Sequence, residues 1–386
     1  MSSGEHGSKG PFGDALFQAT LKRSPEDFKV HELLDIVPDG AGEHLWLHVE
    51  KRGLDTWTVR DALASAFGCA ERDVGHAGLK DRHAVTRQWF SVRAVGAADA
   101  DAGALEALVE RLGPASLQVL AAARHGRKLR IGAHRGNAFD IVLHEPSAPD
   151  GGAIDATSLA SALQARVERV HALGCPNRFG EQRFGRGGGN VAAARSLLGN
   201  GASGRKPRRL TRRKRGLLLS AARSHLFNRV LDARLQRDDW HRLLPGEPAM
   251  LAGSRSLFVP ESDDADIQAR LAGLDVSPTG PLPGRGTSLA RDDCARFEDD
   301  LLSDESALID GIAAAGVEVG RRALRVAVPD LTVVLQPGAE PCDARLRFRF
   351  SLPPGSFATS LIELFGTTRL APTGLPPTDG PPGDGP

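Results

Sequence analysis

Residues 344–352 read ARLRFRFSL, and the alternation within them decides the fold. Leu346, Phe348, Phe350 and Leu352 fall on one face, and Arg345, Arg347 and Arg349 on the other. A two-residue period of this kind is a strand with one buried face and one basic face. Working outward, RRALRVAV (321–328) and LTVVL (331–335) are further strand-like runs near the C-terminus. Toward the N-terminus, Leu45, Leu47 and Val49 alternate, and QWFSVRAV (88–95) and FDIVL (139–143) are rich in aromatic and β-branched residues with alternating faces. Helices fall between these strands. Thr58 followed by Asp61 predicts a helix start, with Val59, Leu63, Ala66 and Phe67 inward and Gly68 as its cap. Leu159, Leu163, Val167, Val170 and Leu173 recur at helical spacing before Gly174 and Pro176. A third helix carries Ala222, Leu226, Val230 and Leu231. Strands at both ends of the chain and a helical, basic middle imply a mixed α/β (α+β) domain interrupted by an insertion. The boundaries read as a domain of residues 20–160 and 318–370 around an insertion of 161–317, within which 261–293 is Pro/Gly rich and loop-like. Residues 1–19, rich in Gly and Ser, and 371–386, mostly Pro and Gly, read as flexible tails.

The chain has 386 residues, enough for two domains with their own cores. Hydrophobic residues make up 41% and charged residues 25%, ordinary globular values, while tyrosine is absent, which excludes chemistry resting on a phenol. The formal charge of +1 conceals an acidic stretch at 261–266 and a basic run, RKPRRLTRRKR (205–215), so a polyanion would be met locally. Cys69, Cys175, Cys294 and Cys342 form no CxxC pair, which suggests neither a zinc knuckle nor a disulfide framework and fits a reducing cytoplasm. No run of 18 apolar residues and no signal-peptide pattern occurs, so no membrane contact is expected, and a monomer is the expected state.

The densest cluster of chemical groups is GHAGLKDRHAVTRQWF (75–90), where Lys80, Asp81, Arg82, His83 and Arg87 precede an apolar strand. Such turns are often merely solvated. A carboxylate among cations, however, stays ionised near neutral pH, which suits a nucleophile better than a general acid. In RGNAFDI (135–141), Asn137 and Phe139 share a face of a strand. They read as a turn amide and a core ring, or as a pair that stacks on and hydrogen-bonds an extruded base. RFGEQRFGRGGG (178–189) holds five Gly in twelve residues and reads as a loop lying close to a partner; without GK[ST] it is no nucleoside-triphosphate site. The basic run that follows places eight Lys or Arg in eleven residues, and its proximity to the glycines favours nucleic acid over a solvated loop. His44 and His48 lack the context of a metal site, and no metal or nucleotide cofactor is expected.

Segments in one order along nearly the whole ordered chain, about residues 20–365, carry a resemblance. They include FKVHEL (28–33), GEHLWLHVEKRGLDT (42–56), HAGLKDRHAVTRQWFSV (76–92), RGNAFDIVL (135–143), NRFGEQRFGRGG (177–188), LLLSAARSHLFNRVL (217–231), SPTGPLPGRG (277–286) and LPPGSFATSLIEL (352–364). With GLKDRHAVTRQW as the most specific among them, the sequence resembles the TruD family of pseudouridine synthases. The departures are mild: His76 and Arg178 stand where the family often has tyrosine.

The resemblance implies a pseudouridine synthase catalytic domain with a mixed, largely antiparallel sheet, plus an inserted, family-specific α/β TRUD domain. It implies that Asp81 is the catalytic aspartate and that Asn137 and Phe139 are the active-site amide and aromatic. Lys80 is a candidate phosphate or carboxylate partner, and Glu32 and Lys29 are placed in the same cleft by the family pattern alone. The expected substrate is tRNA, at uridine 13, with phosphate contacts from Arg183, Arg186, Arg212, Arg213 and Arg215. The competing expectations are a synthase for another RNA and a non-catalytic RNA chaperone of the same fold.

Overall fold

The computed structural model describes residues 10–94, 98–199, 210–261, 263–338 and 343–371, apart from the side chains of residues 98–101, 186, 199 and 213. The outer parts of both expected tails, Cys342 and the first five residues of the basic run lie outside the described residues. The described chain forms two compact units. One comprises Leu16–Gln164, Asp330–Pro354 and the residues from Gly366; the other comprises Ala165–Pro329, Gly355–Phe365 and the residues before Leu16.

The first unit is built on a ten-stranded mixed sheet. Its strands include β1 (Gln18–Leu21), β2 (Phe28–Leu33), β3 (His44–Arg52), β4 (Gly75–His76), β5 (Val85–Arg93), β6 (Leu117–His125) and β7 (Gly136–Ser147). Three more, Thr332–Gln336, Arg345–Leu352 and Thr367–Leu370, come from the C-terminal part. The main path runs Thr332–Gln336, Arg345–Leu352, β7, β2, β5, β3, β6. Only β2 with β5, and β1 with Thr367–Leu370, pair in parallel. The sheet is therefore mixed and largely antiparallel, as the family resemblance implied.

ARLRFRFSL behaves as its alternation requires. Leu346, Phe348, Phe350 and Leu352 are buried, each contributing roughly 1.5–3 kcal/mol by leaving water, while Arg345 and Arg349 face out. Its register against β7 sets Phe350 opposite Phe139 and Leu352 opposite Asn137. The closeness of the two strands explains Gly136, where an added Cβ would meet the Leu352 carbonyl oxygen at 2.6 Å. On β3, Leu45, Leu47 and Val49 turn inward against helix α1 (Thr56–Ala66) and helix α2 (Ala98–Leu112). The cap of α1 differs from the expected one: Asp55, not Thr58, is the N-cap, its carboxylate accepting from the Thr58 amide at 2.7 Å.

Residues 10–19 correct the reading of a tail through residue 19. Composition hid two large apolar anchors, Phe12 and Phe17, both buried, and β1 adds to the long strand β7 on the edge that β2 also uses.

In the second unit, helix α3 (Ala156–Leu173) ends before Gly174, at φ +82°, as expected. Helix α4 (Gly189–Gly199) packs on α5 (Arg212–Gln236), which begins earlier than its apolar stripe suggested, because Thr211 caps it by accepting from the Lys214 amide. Residues 261–293 are not all loop. They hold α6 (Ala265–Ala272), capped by Asp264, and the short strands Val276–Ser277 and Thr279–Leu282. Residues 320–326 pair with Thr279–Leu282 and Cys175–Pro176 inside this unit, so these contacts separate them from the other C-terminal strands.

Candidate active site

The loop between β4 and β5 carries Lys80 and Asp81, and it is held by side chains that sequence reasoning passed over. Thr56, in the first turn of α1, accepts the Lys80 amide at 2.9 Å and donates to Gln88 Oε1 at 3.1 Å. Gln88 in turn donates to the Gly78 carbonyl at 2.8 Å. Both Thr56 and Gln88 are buried, so these bonds form in a low-dielectric setting where losing one is costly.

Between the last β2 pair, His31 with Arg87, and the β4 pair of His76 with Phe90, the Trp89 amide of β5 has no strand to meet. Glu32 fills the gap: its Oε1 accepts that amide at 3.0 Å, and its Oε2 receives the Lys80 ammonium at 2.5 Å. Both side chains are shut away from water, at 3% exposure for Lys80 and 0% for Glu32. Of the two roles open to Lys80, phosphate or carboxylate partner, the geometry shows the carboxylate. A buried pair of this kind holds position, and removing one half leaves the other uncompensated. Lys80→Met is expected to lower the unfolding free energy by about 3–5 kcal/mol in urea titrations. A loss under ~1 kcal/mol would show that the pair does not hold the loop.

Lys51, on the inward parity of β3, is fully buried. Its ammonium donates to the carbonyls of Leu54, at 2.6 Å, and Asp81, at 3.3 Å. Burial pulls its pKa down to about 8, against the attraction of Asp55 and Asp81 and with the help of Lys80.

The Asp81 carboxylate itself is 38% exposed. Its Oδ1 accepts the His83 amide at 3.2 Å, and its Oδ2 receives the Lys22 ammonium. Burial would raise its pKa, but the Lys22 charge and these hydrogen bonds outweigh that and hold it below the ordinary carboxylate value. The counter-ion is thus not a neighbour in sequence. Arg82 donates instead to the Gly53 carbonyl and Arg87 to Glu50. Lys22 directly follows β1 with φ at +59°, a left-handed backbone that costs a non-glycine residue about 1–2 kcal/mol.

From Lys22 the site continues into aromatic rings. Its ammonium lies 4.3 Å from the centroid of Phe28, which meets Phe139 edge-on at 6.2 Å, and Phe139 stacks on Phe350 at 5.1 Å. Register places Asn137 directly between Glu32 and Leu352, on the same face as Phe139. Asn137 Oδ1 is buried and has no hydrogen-bond partner among the described residues. The structure therefore brings Asp81, Lys80, Glu32, Asn137 and Phe139 into one neighbourhood. Lys29, on the alternate parity of β2, turns to the opposite face of the sheet.

The expected RNA contacts lie in the other unit. Arg183 sits in the turn Glu181–Phe184, its guanidinium 5.4 Å from the Phe179 centroid, and burial lowers its pKa. Arg212 and Arg215 are exposed in the first turn of α5, where cations oppose the helix dipole and gain nothing from the helix itself. The side chains of Arg186 and Arg213 are outside the described residues. The glycine-rich loop lines a cavity of about 910 Å³. Its arginines are matched by acids: Arg178 pairs with Asp232, and Arg195 and Arg229 converge on Glu305, to which His225 also bonds.

The family model of TruD, tRNA pseudouridine synthase D, matches residues 14–198 and 195–365. Proteins named tRNA pseudouridine synthase D from Methylococcus capsulatus and Pseudomonas syringae pv. tomato are 41% and 43% identical, over 91% of this chain and 91% and 92% of theirs. One from Xanthomonas oryzae is 42% identical over 91% of this chain and 92% of its own. A crystal structure from Methanosarcina mazei that carries the TruD name shares the fold, with a TM-score of 0.70 at 18% identity over 92% of this chain and 95% of that one. The chain belongs to the TruD family.

Proposed function

We propose that the protein is an isomerase that converts uridine to pseudouridine in tRNA, at position 13, with Asp81 as its catalytic residue. The observation that carries this reading is an ionised carboxylate, paired with Lys22, beside the Phe28–Phe139–Phe350 rings and an Asn137 oxygen that has no hydrogen-bond partner among the described residues. The sheet unit is the catalytic domain, and the other unit, with Arg183, Arg186, Arg212, Arg213 and Arg215, supplies phosphate contacts. The setting is the cytoplasm and the working unit a monomer.

The reaction breaks the N1–C1′ bond, turns the ring and forms C5–C1′; C5 loses a proton and N1 gains one. No electrons are gained or lost, so neither an oxidant nor a reductant is required. Because the base begins in a stack, it is first extruded into a pocket with an aromatic face and polar edges. Phe139 provides the face and Asn137 the edge. Attack on the sugar, attack on the ring and removal of the 2′ proton all need Asp81 deprotonated, and the Lys22 charge keeps it so.

The test is chemical mapping of pseudouridine in tRNA transcripts with and without uridine 13. Conversion confined to the first transcript is expected. Conversion elsewhere would mean another RNA target, and binding without conversion a chaperone.

A further inference from the structure

Between Gly126 and Phe139 the sequence GRKLRIGAHRGNAF contains Arg127, Lys128, Arg130 and Arg135 and not one Asp or Glu. This segment joins β6 to β7 and runs straight into the active-site residues Asn137 and Phe139. It is a fixed structure rather than a trailing loop. Trp46 Nε1 donates to the Arg127 carbonyl at 2.8 Å, Ser91 Oγ accepts the Leu129 amide at 2.9 Å, and Ala77 accepts the Gly132 amide at 2.7 Å. The approach to β4 is so close that a Cβ at Gly75 would meet the Leu129 carbonyl oxygen at 2.3 Å. Leu129 is buried with Trp46 and Ala77, anchoring the middle of the segment.

With the backbone pinned and Leu129 inside, Arg127 and Arg130 are exposed, and neither makes an ion pair among the described residues. Lys128 bonds the Arg72 carbonyl and Arg135 pairs with Asp35 at 3.0 Å. The segment borders a groove of about 600 Å³, whose other wall includes Ile36 and Asp39. Asp39 is already bonded to His125 and to the Gly126 amide. Ile36 and Ile131 are exposed beside the groove. Unpaired guanidiniums carried on a pinned backbone beside an apolar floor complement a phosphodiester chain, whose phosphates take the charge and whose sugars take the apolar surface.

We propose that residues 126–135 and the groove beside them bind the backbone of the RNA substrate, with Arg127 and Arg130 as phosphate contacts. The proposal rests on the RNA-modifying reading of the site and extends it to a surface outside the residues assigned to RNA so far. The tethers to Ala77 and Ser91 and the direct passage into Asn137 make the segment a rigid ruler between a gripped phosphate and the pocket for the extruded base.

The experiment uses the full chain and measures tRNA binding directly, so that it does not depend on turnover. Arg127→Ala/Arg130→Ala is expected to weaken affinity about tenfold at 50 mM salt and to lower the slope of log affinity against log salt by roughly two. The control is Arg285→Ala/Arg296→Ala, which removes the same charge from exposed guanidiniums already paired with Glu318 and Asp293. An unchanged slope in the first variant, or an equal drop in both, overturns the proposal. Tight, salt-sensitive tRNA binding that loses this slope while no uridine is converted would uphold the groove and sink the assigned reaction.

Discussion

Asp81→Asn is expected to reduce turnover by about 10⁴-fold or more, while tRNA affinity stays within a few fold. The amide keeps the size of the carboxylate and still offers an oxygen to the His83 amide, so the loop keeps its shape. What disappears is the negative charge that faces Lys22 and the electron pair that every route to pseudouridine requires. Single-turnover assays with excess enzyme separate the two quantities. Residual conversion within a hundredfold of the parent would remove Asp81 from its role. The pKa direction adds a sign. Because Lys22 holds the folded carboxyl below its ordinary value, the stabilisation is present above the unfolded pKa and is lost as pH falls through the lower, folded one. Activity is therefore expected to show no acid limb between pH 5 and 7 from this group.

Lys51→Met is the second large effect. Removing the ammonium takes away the donor at the Asp81 carbonyl, and the loop loses a bond placed directly at Asp81. Misplacement of a reacting group by about 1 Å costs on the order of 10²-fold, so kcat is expected to fall by roughly 10- to 100-fold with KM within about threefold. An unchanged kcat would show that Thr56 and Gln88 suffice. Stability supplies an independent readout. Lys51 has its pKa lowered from 10.5 to about 8 by burial. Below pH 8 both folded and unfolded states carry the proton; between pH 8 and 10 only the unfolded state keeps it, so stability rises with pH there. Relative to Lys51→Met, the parent is expected to gain about 2–3 kcal/mol over that interval in denaturant titrations. A flat difference would mean that the amine is not titrating in this range.

Much of the sheet was legible because burial on one face enforces a period of two. ARLRFRFSL, the β3 alternation and FDIVL all fall where the period put them. The grouping of Asp81 with Asn137 and Phe139 came from family resemblance, and the register of β7 with β2 gives it a physical basis. Two supporting residues are marked in the same pattern: Glu32, which the family resemblance alone had placed here, and Lys51, which sequence reasoning passed over. Glu32 follows Phe28 and Val30 on the inward parity of β2, and Lys51 follows Leu45, Leu47 and Val49 on that of β3. A charge on the buried face of a strand has to be satisfied by something, and here that something is the loop of Lys80 and Asp81. Lys22 carried no such mark. It stands beyond a Gly/Ser-rich stretch, and it meets Asp81 only through pairing far along the chain. The residues 261–293 misled in the opposite sense, because prolines and glycines punctuate short elements as readily as they fill a loop.

The parallel pairing of β1 with Thr367–Leu370 ties the timing of synthesis to competence. While a nascent chain still lacks those late residues, the segment bearing Lys22 has only one of its two flanking strands. Asp81 is translated early, yet the strand that leads into its counter-ion, Lys22, gains its second flank only when the closing strand emerges.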